Sequence, residues 1–140
     1  MLSIKMNLDL IKNGYIKMNK NPKWNYAELV LALELYMLHR PNPPGKNYRD
    51  VKILSNLLRL NALSDEIYLN KTFRNTNGVA MKLQNFRRFD EMFKGKGLRQ
   101  GGGLERDIWD RYQNLKKLQK ASDLIRKNIE TKIENLNEKK

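Results

Sequence analysis

Apolar residues recur at helical spacing along most of the chain. Leu29, Ala32, Leu33 and Tyr36 share one stripe, widened by Leu31, Leu35 and Leu38. Asn25, followed three residues later by Glu28, has capping-box spacing, in which each side chain bonds the other's backbone N–H. A first helix is therefore predicted over 26–39. Pro41, Pro43, Pro44 and Gly45 terminate it. Val51, Leu54, Leu57 and Leu58 predict a second helix over 48–60. Val79, Leu83 and Phe86, continued by Phe89, predict a third from Thr76 or Asn77 to Phe89. The connection over 61–75 is polar around Ser64, Asp65 and Glu66 but carries Ile67, Tyr68 and Phe73 to pin it down.

A last stripe, Ile108, Tyr112, Leu115, Leu118, Ile125, Ile129, Ile133 and Leu136, predicts one helix over 104–136, interrupted only by Ser122. At ~1.5 Å per residue such a helix spans about 50 Å. A compact domain of 140 residues has a radius of gyration of only ~14 Å. The second half must project, bend back or pack on another chain. Ile4, Leu8, Ile11 and Tyr15 mark a short amphipathic arm over 3–17, and Met18 is an alternative start. The expected fold is all-α: a compact three- to four-helix domain with a helix-turn-helix-like core and a long C-terminal helix. Its expected organisation is an N-terminal arm (1–20), a helical DNA-binding-type domain (21–115) and a projecting C-terminal helix (116–140).

Charge sharpens this picture. Lys and Arg number 28 against 15 Asp and Glu, a formal net charge of +13. A domain this basic attracts polyanions, nucleic acid first and an anionic membrane surface second. There is no cysteine and a single histidine, His39. Thiolate metal sites, disulfides and a cysteine nucleophile are thereby excluded, and neither metal nor cofactor is expected. No apolar run approaches the ~20 residues needed to cross a bilayer. The N-terminal stretch, broken by Lys5, Asn7, Asp9, Lys12 and Asn13, lacks the apolar core of a signal peptide. A soluble, cytoplasmic protein without membrane attachment is expected. Glu130-Thr131-Lys132 matches half of a nuclease motif. That motif needs carboxylates placed by a sheet, and here the triplet lies in a charged helix.

The candidate site follows from charge and periodicity together. Over 69–100, eight basic residues face two acidic ones, a net +6 in 32 residues. A helix burying Val79, Leu83 and Phe86 turns Lys82, Gln84, Asn85 and Arg88 outward. Arg, Asn and Gln can each make paired hydrogen bonds to a base edge, and Lys neutralises phosphate. The segment Lys94-Gly95-Lys96-Gly97-Leu98-Arg99 is a glycine-rich basic loop, where missing Cβ atoms permit close approach to a backbone. The predicted contact residues are Arg74, Asn75, Asn77, Lys82, Asn85, Arg87, Arg88, Lys94, Lys96 and Arg99. Asn75, Asn77 and Gly78 serve equally well to cap the third helix and form its turn. DNA is the expected partner, with RNA left open.

The string from Phe73 to Phe86 (FRNTNGVAMKLQNF) stands between Trp24, Glu28 and the Leu31–Tyr36 run upstream and Gly95-Lys96-Gly97-Leu98 and Trp109 downstream. Together these resemble the N-terminal, non-catalytic domain of bacterial McrA-type HNH restriction endonucleases, over about residues 21–119. In that family the segment precedes an HNH nuclease. This chain has no cysteine and no histidine after His39, so cleavage is not carried over and no enzymatic activity is expected. The resemblance implies positioning on DNA within a restriction or defence system, with a separate nuclease subunit as partner. Arg74, Asn75, Asn77, Lys82 and Asn85 are the matching polar positions. The alternative is a scaffold or interaction subunit that dimerises or docks a partner through its long C-terminal helix.

Overall fold

The computed structural model describes residues 20–93 and 103–138. Among these the chain forms five α-helices and no strand: α1 (Tyr26–His39), α2 (Arg49–Asn61), α3 (Thr76–Arg87), α4 (Gly103–Arg111) and α5 (Leu115–Glu138), with a 3₁₀ turn at Glu66–Leu69. The expected arm over 3–17 lies outside the described residues.

α1 is the axis of the domain. Eight of its fourteen residues are buried, and α2, α3, α4 and α5 all pack against it. The reason is in its composition: the segment is apolar almost all round, and such a helix is stable only when enclosed. Asn25 and Glu28 form the reciprocal capping box. Arg40 ends the helix in an extended conformation, as a residue preceding proline must. The two acids on this central helix are both answered by arginines from elsewhere. Glu28 pairs with Arg74 and Glu34 with Arg126.

The 14-residue connection between α2 and α3 is held by polar clamps. Arg59 of α2 donates to three of its carbonyls: Tyr68 at 2.9 Å, Asn70 at 3.1 Å and Phe73 at 2.6 Å. Ser55 Oγ donates to Arg74 O at 2.7 Å. Arg74 itself adopts φ +46, a left-handed conformation uncommon for a side chain with a Cβ. It is sustained by what the side chain reaches. Its Nε donates to Glu28 Oε2 at 2.7 Å and its Nη2 to Lys23 O at 3.2 Å, while the guanidinium lies near the Phe73 and Trp24 rings.

The single terminal helix expected over 104–136 is two helices. Gln113 Nε2 donates to Trp109 O at 2.6 Å and closes α4. Asn114 then starts α5, its Oδ1 accepting from Lys117 N at 3.1 Å. The long helix does not project: α5 packs on α1 and α2. Leu118, Ser122 and Ile129 are buried on this face, with Ile125 and Ile133 half-buried beside them. Its apolar stripe is thus spent inside the fold. Leu115 and Leu124 of the same helix remain exposed.

Beneath α4 lies a buried polar knot. Asp90 accepts from Tyr36 Oη at 2.7 Å, from Arg40 Nε at 3.0 Å and from Met92 N at 2.9 Å. Trp109 packs edge-on against Tyr36, their centroids 5.8 Å apart. Burial of Asp90 disfavours its charge, but the bonds from Arg40, Tyr36 and Met92 N–H outweigh this and hold the carboxyl below its usual range. Burial, together with Asp90, pushes the Tyr36 phenol above its ordinary value.

Candidate nucleic-acid interface

α3 buries Val79, Leu83 and Phe86, as its periodicity predicts. Asn77, Met81 and Gln84 are exposed on the opposite side, Met81 at 61%. The outer face of the helix body is therefore amide and thioether, with its cations gathered at the C-terminal end.

Two of the predicted contact residues face inward. Arg74 is only 4% exposed and is committed to Glu28, because a buried guanidinium needs a carboxylate and acceptors to offset lost hydration. Lys82 donates to Glu105 Oε1 of α4 at 2.9 Å and sits 5.5 Å from the Trp24 ring centroid. Its side chain retains only 15% exposure. Both residues staple the domain: Arg74 ties α3's entry to α1, and Lys82 ties α3 to α4. Asn75 is the N-cap of α3 and accepts from Gly78 N at 2.7 Å. A Cβ on Gly78 would come within 3.1 Å of that Asn75 oxygen, so the small residue keeps the cap tight. Much of the Phe73–Phe86 string thus has a structural assignment, in core, staple or cap.

The remaining predicted residues lie differently. Asn77 is exposed in the first turn of α3, and Asn85 is half-buried. Arg87 and Arg88, at the end of α3, make no ion pair among the described residues. Each guanidinium instead lies near an aromatic ring, Arg87 Cζ 4.1 Å from the Phe93 centroid and Arg88 Cζ 4.8 Å from the Phe89 centroid. Arg106 of α4 approaches the same Phe89 ring at 5.6 Å. Among the described residues its one carboxylate partner is Asp110, at 3.8 Å and well exposed, a weak pairing in water. Arg88 Nε is buried without an acceptor. Lys94, Lys96 and Arg99 lie outside the described residues.

Arg88 and Arg106 thus share the Phe89 ring at the α3–α4 seam, and Arg87, the neighbour of Arg88 in the chain, lies on Phe93; ring contacts hold all three, and only Arg106 has an ion pair among the described residues. Ring contact restrains a guanidinium while leaving N–H groups for an anion. Glu105, an acid at the seam, is already paired with Lys82. Its burial opposes ionisation, but the Lys82 bond, a backbone N–H and the nearby Lys82 and Arg88 charges hold the carboxyl below its usual range. Arg106 gives no signal in the sequence, because the apolar stripe runs α4 into one long helix and its charge sits among Glu105, Asp107 and Asp110.

Among the described residues no group of three or more His, Cys, Asp or Glu is placed to hold a metal ion, and no helix is long and apolar enough to cross a membrane. Lys132 of the Glu130-Thr131-Lys132 triplet donates to Asn61 O at 2.7 Å. His39 packs edge-on against Tyr48, centroids 5.0 Å apart. The chain matches no family model, no curated protein and no solved structure.

Proposed function

We propose that this chain is a DNA-binding module of a restriction or defence-type system, acting without a catalytic centre of its own and alongside a separate nuclease. The observation that carries the reading is the arginine cluster at the α3–α4 seam. Arg88 and Arg106 share Phe89 and Arg87 lies on Phe93, and among the described residues the three make a single ion pair, the exposed one from Arg106 to Asp110, on a chain of net charge +13. A guanidinium fork matches phosphate oxygens in pairs and can read a guanine edge. Asn77 and Gln84 on the adjoining face of α3 supply the amides that pair with adenine. The restriction setting rests on the resemblance carried by the Phe73–Phe86 string and its flanking residues.

The test is fluorescence anisotropy with short labelled duplexes across a salt series. Wild-type protein is expected to bind, with log affinity falling linearly against log salt. The pair Arg87→Gln and Arg88→Gln is expected to weaken binding and flatten that slope by up to about two. A wild-type protein that ignores duplex DNA at low salt refutes the reading, and an unchanged slope in the double variant refutes the assignment of these residues.

A further inference from the structure

A second concentration of charge lies away from that seam, where α4 meets α5. Arg111, Lys116, Lys117 and Lys120 are all exposed, and no acidic residue occurs between Arg111 and Ser122. None of the four makes an ion pair among the described residues. Two of them lie near tyrosine rings instead. Arg111 Cζ is 5.8 Å from the Tyr26 centroid and Lys117 Nζ 5.8 Å from the Tyr112 centroid. These rings are locked together, since the Tyr26 and Tyr112 hydroxyls hydrogen-bond and the rings meet edge to face.

The position of the lysines is the informative point. Lys116 and Lys117 stand in the first turn of α5 and Lys120 in the second, and that first turn contains no acid. A helix N-terminus carries positive partial charge, so cations there oppose the dipole and destabilise the helix. Mutual repulsion adds to this, with Lys116 and Lys120 at i, i+4. Among the described residues no carboxylate forms an ion pair with them. Three lysines collected where they weaken their own helix are explained by an external anion that neutralises them.

We infer that Arg111, Lys116, Lys117 and Lys120 form a second contact surface for the phosphodiester backbone of duplex DNA, separate from the arginine cluster of α3 and α4. The arginine cluster draws on the end of α3 and the start of α4, and this surface on the end of α4 and the start of α5. The side chains here are flexible cations without amides, suited to phosphate and carrying no base information. The arginine cluster would set register and this surface would add affinity and salt dependence. The inference rests on the DNA-binding reading above.

The experiment compares three proteins by duplex binding over a salt series and by thermal melting: wild type, Arg87→Gln/Arg88→Gln, and Lys116→Gln/Lys117→Gln/Lys120→Gln. The lysine variant is expected to lose about two to three units of salt slope, equally for duplexes of unrelated sequence. It is also expected to melt no lower than wild type, and higher if the dipole clash is relieved. A lysine variant with full slope, when the arginine variant is impaired, overturns this inference alone. A loss of slope in the lysine variant only would support it and remove the arginine cluster from the proposed function. Failure of wild type to bind duplex overturns both readings. A lower melting temperature, or loss of binding to phosphatidylserine vesicles with duplex binding intact, also overturns the inference.

Discussion

Arg74 grips Glu28 through two nitrogens, with Nε to Oε2 at 2.7 Å and Nη2 to Oε1 at 3.0 Å, across 46 residues of sequence. Glu28 is at the same time the acid of the α1 capping box. One carboxylate therefore closes the N-terminus of the central helix and anchors the turn that launches α3. The consequence for function is indirect but firm: the orientation of α3 depends on a buried ion pair.

Removing either partner should unfold the domain rather than blunt a surface. Arg74→Ala or Glu28→Gln leaves the other group buried and uncompensated, at a cost of about 3–5 kcal/mol. Chemical denaturation monitored by circular dichroism checks this. A loss below about 1 kcal/mol with weakened DNA binding would instead return Arg74 to the contact surface.

The cap of α3 allows a finer test. Asn75→Ala should cost about 1 kcal/mol and Asn75→Asp nearly nothing, since aspartate also caps well. The folded fraction of both variants should bind duplex as wild type does. A binding defect in a fully folded Asn75→Ala protein would show that this amide touches DNA.

Ser122 offers a gain of stability. Its hydroxyl is fully buried within α5's inner face and has no hydrogen-bond partner among the described residues. An unsatisfied buried polar group costs about 1–3 kcal/mol, so Ser122→Ala should raise stability by about 1 kcal/mol, visible as a higher denaturation midpoint with an unchanged slope. A destabilised variant would mean the hydroxyl is satisfied.

The Tyr36–Asp90–Arg40 knot contributes to the pH response on both sides, beside Glu105 on the acid side and Tyr112 on the alkaline side. A carboxyl whose folded pKa is depressed contributes stability above its unfolded value, near pH 3.9, and loses it as pH falls through the folded value. A phenol whose folded pKa is raised contributes stability below about pH 10 and loses it as pH climbs toward the folded value. Stability measured against pH should therefore fall on both limbs. Asp90→Asn should flatten the acid limb and Tyr36→Phe the alkaline limb. An unaltered profile in either variant would show that its group does not drive that limb.

Much of the fold can be read directly from the chain, for definable reasons. The Asn25–Glu28 spacing and the all-round apolarity of residues 29–36 announce an enclosed, capped helix, and Val79, Leu83 and Phe86 mark the inner face of α3. These are local patterns. What escapes is pairing at a distance. Arg74 and Lys82 look like free cations until the fold brings Glu28 and Glu105 beside them, 46 and 23 residues away. The break between α4 and α5 hides because the apolar stripe runs on through it, and Asn114 is a cap only if the helix stops. The cation run from Arg111 to Lys120 is visible in the chain, but it acquires meaning only once α5 is known to begin at Leu115.

The decisive measurement is an amide-resolved NMR titration of the folded chain with a short duplex. The account expects shift changes at the end of α3 and the start of α4, at Gln84, Arg87, Arg88, Phe89 and Arg106, and along the surface from Arg111 to Lys120, saturating with the DNA. Saturating shifts elsewhere, with these residues silent, would contradict it.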